Sequence, residues 1–156
     1  MDFDKYNRGF ENVGMKGHIN FIHYRNGMPI EEIDVPNLVV TTGKAQVAGL
    51  FNGGVSQAFT ALAIGTGTTT PAAADTDLAA QAGDRASATC SRVTTTTTND
   101  TAQLVATFNF NAATAITEAG IFDLASSGTL AARATFSAIN VASGDSLQLT
   151  HKVQYT

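Results

Sequence analysis

The chain is predicted to be all-β, a two-sheet antiparallel sandwich of some eight strands, jelly-roll-like, with one short helix and an N-terminal arm. Two observations in the sequence carry this. Leu104–Phe110 alternates Leu104, Ala106, Phe108 and Phe110 with Val105, Thr107 and Asn109, which is the period-2 pattern of a strand with one apolar side. Two further strand-like runs follow, Ile116–Leu124 and Thr129–Phe136, separated by the turn Ser126-Ser127-Gly128. Three strands in a meander cannot bury an apolar face alone, so the rest of the chain has to supply a second sheet.

Taken in order, the chain opens with a segment unlike its body. Eleven of the twenty-two charged side chains fall in the first forty-four residues. Phe3, Tyr6 and Phe10 punctuate residues 1–17, while Gly9, Gly14 and Gly17 work against a long helix. Either the aromatics anchor an extended arm on another surface, or they form one helical turn lying on the domain. The domain boundary is placed after Gly17, with the sandwich running over residues 18–156.

His18–Arg25 alternates as a strand, and Asn26-Gly27 is a strong hairpin signal leading to a partner strand, Met28–Val35, closed by Pro36. Thr41 or Thr42 can cap a short helix through Lys44–Phe51, with Ala45, Ala48 and Phe51 on one face and Asn52-Gly53-Gly54 ending it. Phe59–Ile64 is nearly all apolar and reads as a central, buried strand. Gly65–Ala74 is a loop, and Asp75–Gln81 a turn or helical fragment. Arg85–Thr98 reads as one long strand whose threonine-rich end suits an exposed edge. Asn99-Asp100 turns it into the meander, and Ser143-Gly144-Asp145 leads to a last alternating strand, Leu147–Tyr155.

At 156 residues the chain is one domain with room for a substantial core. Nine basic against thirteen acidic side chains give a net charge of −4, and no basic patch suggests nucleic-acid binding. No apolar run approaches the ~20 residues of a membrane helix. The N-terminus carries acids where a secretory signal would be basic, so the expected site of synthesis is a cytoplasm. The single cysteine, Cys90, lies in an alternating run and is expected to be a small core residue.

Sites for chemistry are sparse. Gly43-Lys44 lacks the upstream glycine and following Ser/Thr of a phosphate loop. Gly65-Thr66-Gly67 runs into Thr69-Thr70-Pro71 where a dinucleotide fold would have a helix. His18, His23 and His151 are wrongly spaced for zinc and are expected to be exposed strand residues. Asp75 and Asp77 lack the remaining oxygens of a calcium cage, so Asp75 or Thr76 is expected to cap the following turn. Glu118 stands apart, a lone carboxylate between Ile116 and Ile121, and burying it unpaired would cost several kcal/mol. Arg133 lies across the predicted hairpin and Arg85 precedes another strand. The expected arrangement is a structural ion pair, Glu118 with Arg133, that fixes strand register. No catalytic residue, metal site or cofactor is expected.

The run ITEAGIFD followed by SGTLAARATF resembles a signature of small bacteriophage virion structural proteins. Asn37–Gly43 (NLVVTTG), Leu62–Gly67 (LAIGTG), Pro71 and Asp75–Leu78 (DTDL) fit the same pattern in order, so the resemblance spans roughly Asn37 to Tyr155. It implies a non-enzymatic virion component, a capsid decoration or cement protein whose partners are the major capsid protein or other virion proteins. Such a protein is a homo-oligomer or present in many copies in the particle, binds neither nucleic acid nor membrane, and reaches the virion from the host bacterial cytoplasm. The alternative within the resemblance is a tail-fibre or receptor-binding module, against which stand the absence of Trp and a count of only three Tyr.

Overall fold

The computed structural model describes residues 14–156. It has two five-stranded antiparallel sheets and one helix. The first sheet runs in the order β2-β1-β10-β7-β6, from β1 (Met15–Arg25), β2 (Met28–Pro36), β6 (Thr89–Val93), β7 (Thr101–Asn109) and β10 (Ser146–Tyr155). The second runs β3-β9-β8-β4-β5, from β3 (Leu38–Val39), β4 (Ala61–Gly65), β5 (Ala86–Ser87), β8 (Thr114–Phe122) and β9 (Leu130–Val141). The two-sheet sandwich expected from the alternating runs is the architecture observed.

The sheets face each other through their apolar sides. Ile19 and Phe21 of β1, Leu104, Ala106 and Phe108 of β7, and Leu147 and Leu149 of β10 meet Leu62 and Ile64 of β4, Ile116, Ala119 and Ile121 of β8, and Ile139 of β9. Phe21 and Phe136 pack with ring centroids 4.5 Å apart. β1, β7 and β10 of the first sheet alternate buried and open residues, because their other face looks outward. β4 is buried throughout and β8 nearly so, because the second sheet is covered on both faces. Its outer face carries a smaller core of Val40, Ala61, Ala63, Leu78, Phe122 and Leu130, roofed by α1 (Thr41–Asn52) and by the loop between β4 and β5.

Local chemistry explains most of the connections. Asn26 and Gly27 both take positive φ, 52° and 76°, the turn whose twist matches a two-residue hairpin. Gly43 lets the first turn of α1 rest on β9, since a Cβ there would lie 2.1 Å from the Ala131 carbonyl oxygen.

Several expectations are corrected. β1 begins at Met15, so Met15–Gly17 belong to the sheet and pair with Val153–Tyr155 of β10, not to a separate segment. Phe3, Tyr6 and Phe10 lie outside the described residues. The run 104–135 is not one meander. β7 joins the first sheet while β8 and β9 form a hairpin in the second, since β7 buries one face and β8 needs cover on both. The long strand expected over Arg85–Thr98 is broken at Ala88, where the chain leaves β5 in the second sheet and enters β6 in the first. Its threonine end is a turn, because the Asp100 carboxylate accepts the amides of Thr95, Thr96 and Thr97 at 2.9 Å each. Cys90 is exposed rather than in the core. The helix expected over Lys44–Phe51 exists and is longer, but neither threonine side chain caps it. Val40 holds the cap position, and Thr42 Oγ1 instead donates to the Leu130 carbonyl at 2.9 Å. Phe51, expected on its packed face, is 95% exposed.

Candidate functional site

Glu118 and Arg133 stand at the centre of the polar structure. A bulge in β8 between Ile116 and Glu118 breaks the strand's parity. Ile116 therefore faces the inner core, while Glu118, Gly120 and Phe122 face outward beneath the β4–β5 loop. Gly120 is the direct partner of Arg133 across the hairpin. A Cβ at Gly120 would press on Leu78 and Leu130 at 3.0 Å, while a Cβ at Gly65 or Gly67 would fall on the Glu118 carboxylate, at 2.6 and 2.4 Å from Oε1. Both side chains are almost completely buried, at 1% exposure for Arg133 and 0% for Glu118.

The Glu118 carboxylate is saturated. Its Oε1 accepts the amides of Gly67 and Ala80 at 3.0 and 2.7 Å, and its Oε2 accepts the Ala79 amide at 3.0 Å. Arg133 donates to Oε2 through Nε at 2.9 Å, and its Nη2 lies 2.8 Å from the same oxygen in the ion pair. Burial pushes this carboxyl up, but the Ala80 and Ala79 amides and the guanidinium outweigh it and hold the group below its ordinary value. The rest of the guanidinium goes to the Asp75 carboxylate at 2.8 Å and the Thr69 carbonyl at 2.9 Å. Thr117 Oγ1 adds a bond to the Gly67 carbonyl. The cluster thus ties the loop over residues 66–81 to the β8–β9 hairpin.

Asp75 and Asp77 do not share a site. Asp75 accepts the Ala72 amide and Arg133, so it caps the residues before it rather than a following turn. Asp77 accepts the Leu78 amide and Arg85. Arg85 in turn lies over the Phe122 ring, 3.3 Å from its centroid. Among the described residues no group of three or more His, Cys, Asp or Glu is placed to hold a metal ion.

The histidines separate. His18 is exposed and bonds Asp34 at 2.8 Å, as expected. His23 and His151, expected at the surface, are 2% and 1% exposed, because their strand positions face the opposite sheet. His23 Nε2 donates to Asp145 at 2.8 Å, and Arg25 donates twice to the same carboxylate at 2.9 and 2.7 Å. The Ala142 amide completes that carboxylate. The guanidinium of Arg25 is the first cause holding the Asp145 carboxyl well below the usual range. This second cluster locks the β9–β10 connection to the β1–β2 hairpin, and sequence reasoning did not find it. The available signal was Asp145 in a turn that a sandwich brings beside the basic end of the first hairpin. Among the described residues His151 has no hydrogen-bond partner at either ring nitrogen.

Among the described residues the outer face of the first sheet is an open, polar surface. His18, Asn20, Glu32, Asp34, Gln103 and Thr150 line a shallow polar shelf there, with Lys152 at its side. Asn20 donates to Glu32 at 2.8 Å and to Asp34 at 3.1 Å. Among the described residues no helix is long and apolar enough to cross a membrane.

No protein-family model, curated protein or solved structure matches the chain.

Within the described residues, then, the two strongest charge clusters brace connections, and the surface offers a polar sheet face and its edges for contact with another molecule.

Proposed function

We propose that the chain is a non-enzymatic structural protein of a bacteriophage virion, a capsid decoration or cement protein that stabilises the shell by bridging capsid subunits. The supporting observation is that the stretch carrying the resemblance, ITEAGIFD with SGTLAARATF, is the mechanical centre of the domain. Glu118 and Arg133 are its key residues, and together they tie a loop to a hairpin. A part of this kind works by adding buried area between its neighbours, with no chemical step. Binding assembled shell in preference to free subunits stabilises the shell by mass action. Its partners are the major capsid protein or other virion proteins, and it is present in multiple copies on the particle.

The contacts proposed are Phe3, Tyr6 and Phe10 of the N-terminal segment together with the polar face of the first sheet. The test is quantitative mass spectrometry of purified particles of the phage that carries the gene. The chain should be present in numbers comparable to the capsid subunit. Its absence from intact particles, with abundant chain in the infected cell, would overturn the reading. The polar shelf favours a second reading, a receptor-binding module of the tail, because amide and carboxylate groups suit hydroxyl-rich ligands. Immunogold labelling of head or tail separates the two.

A further inference from the structure

The four sheet edges among the described residues are unequal. β3 and β5 are two residues long and β6 is five, but β2 is nine residues long and pairs with β1 on one side only. Short strands are one way a sandwich blunts its edges, and β2 lacks that protection. Most of its residues are exposed. It carries Glu31, Glu32 and Asp34 and no basic residue.

Glu32 and Asp34 lie two apart on the outer face, opposite Ile22 and Asn20 of β1. The Asn37 amide bonds the Gly17 carbonyl, so by the alternation of an antiparallel ladder Val35 and Ile33 turn their amides toward β1. Glu32 and Asp34 then turn theirs to the open edge. At its beginning β2 also exposes Met28 (66%) and Ile30 (50%). Ile30, Ile22, Tyr24 and Pro29 form a groove there beside Glu31 and Glu32.

We infer that β2 is a docking edge for an extended segment of a partner protein that carries Lys or Arg at alternate positions and an apolar residue at one end. The partner strand takes the free Glu32 and Asp34 amides into a continued sheet. Asn20 and His18 bond Glu32 Oε1 and Asp34 Oδ1 from the β1 side. The partner's basic side chains therefore sit beside Glu32 Oε2 and Asp34 Oδ2, and its apolar end covers Met28 and Ile30. A second copy does not fit this edge. Pairing β2 with another β2 about a two-fold axis sets the acidic strands against each other, and like charges across a ladder are destabilising. The inference goes beyond the virion reading and does not depend on it.

The test uses the full chain and a synthetic peptide with alternating Lys and Val ending in Leu-Leu, followed by amide chemical shifts at low and physiological salt. Shifts should concentrate on Met28–Pro36 and weaken with salt. The double substitution Glu32→Lys with Asp34→Lys should weaken binding about tenfold or more. Glu32→Pro removes an outward amide on an edge, where proline is tolerated; it should keep the native melting temperature and lose binding. A peptide of the same composition with its lysines in one block should bind poorly. Equal binding of the block peptide, or full binding by a folded Glu32→Pro chain, would reduce the contact to unspecific charge attraction and overturn the inference. So would an absence of shifts on β2, or sedimentation showing a dimer that the lysine substitutions abolish, since the occupant would then be a second copy.

Discussion

Arg133 places two guanidinium nitrogens near a single oxygen of Glu118, Nε at 2.9 Å and Nη2 at 2.8 Å. The pair spans fifteen residues of sequence and sits under a loop that contributes three amides to the same carboxylate. Buried ion pairs often stabilise no more than an apolar replacement would, but removing one partner leaves a buried charge behind. Glu118→Ala should therefore cost about 3–5 kcal/mol. Asp123→Ala removes a buried carboxylate that accepts the Thr129 amide and the Gln46 side chain, with no cation to strand, and should cost about 1–3 kcal/mol. Urea titration of both variants checks the order, and equal losses would show that the guanidinium finds other partners.

Calcium should have no effect on stability. The Asp75 and Asp77 carboxylates point to different partners, Arg133 with the Ala72 amide and Arg85 with the Leu78 amide. A shared cation would have to draw the two carboxylates away from these separate partners. Melting curves with millimolar calcium and with chelator should coincide, and a rise of several degrees with calcium would mean the loop rearranges around the ion.

Much of the fold was legible because it rests on local rules. Asn26-Gly27 specified its turn, and the alternation of β1, β7 and β10 specified which side chains go inside. The outer apolar face of the second sheet was harder to read. A run such as Ile116–Phe122 buried on both sides loses its period of two, and the bulge at Thr117 shifts its parity. The break at Ala88 has the same character, since nothing local separates one strand from two that change sheets. Glu118 and Arg133 could be paired from sequence because a lone carboxylate in an apolar strand needs a cation near it. Asp145 with His23 and Arg25 could not, since 120 residues separate Arg25 from Asp145 and only the sandwich closes the distance. The exposed Phe51 follows from a helix packed mainly through Gly43.

His151 makes stability depend on mild acid. Burial among Ile19 and Leu104, its neighbours on the adjoining strands, pushes its pKa down to about 3, with a smaller contribution from His18. In the unfolded chain it titrates near about 6.5. Between these values the unfolded state binds the extra proton, so stability rises with pH through this window and falls as pH drops below about 6.5. At pH 5 the loss from this group is on the order of 2 kcal/mol relative to neutral pH. His151→Leu should flatten the dependence, raising the melting temperature more at pH 5 than at pH 7.5. An unchanged slope would assign the acid sensitivity to another group.

Deleting residues 1–13 should separate folding from attachment. The observed start of β1 moves the cut from Gly17 to Val13, because Met15, Lys16 and Gly17 pair with β10 and their loss would unzip a strand end. Every strand and the helix described lie after that cut, so the shortened chain should melt like the whole one. The deleted segment carries Phe3, Tyr6 and Phe10, and burying one aromatic side chain contributes about 1.5–3 kcal/mol. Losing two or three such anchors at an interface would weaken attachment by several orders of magnitude, since each ~1.4 kcal/mol is a factor of ten. The measurement is occupancy of the truncated protein on particles that lack it, beside its melting curve. Full occupancy with normal melting would move the grip to the polar face and edges of the first sheet. Failure to fold would assign the three aromatics to the domain itself, and the proposed contact would fall with it.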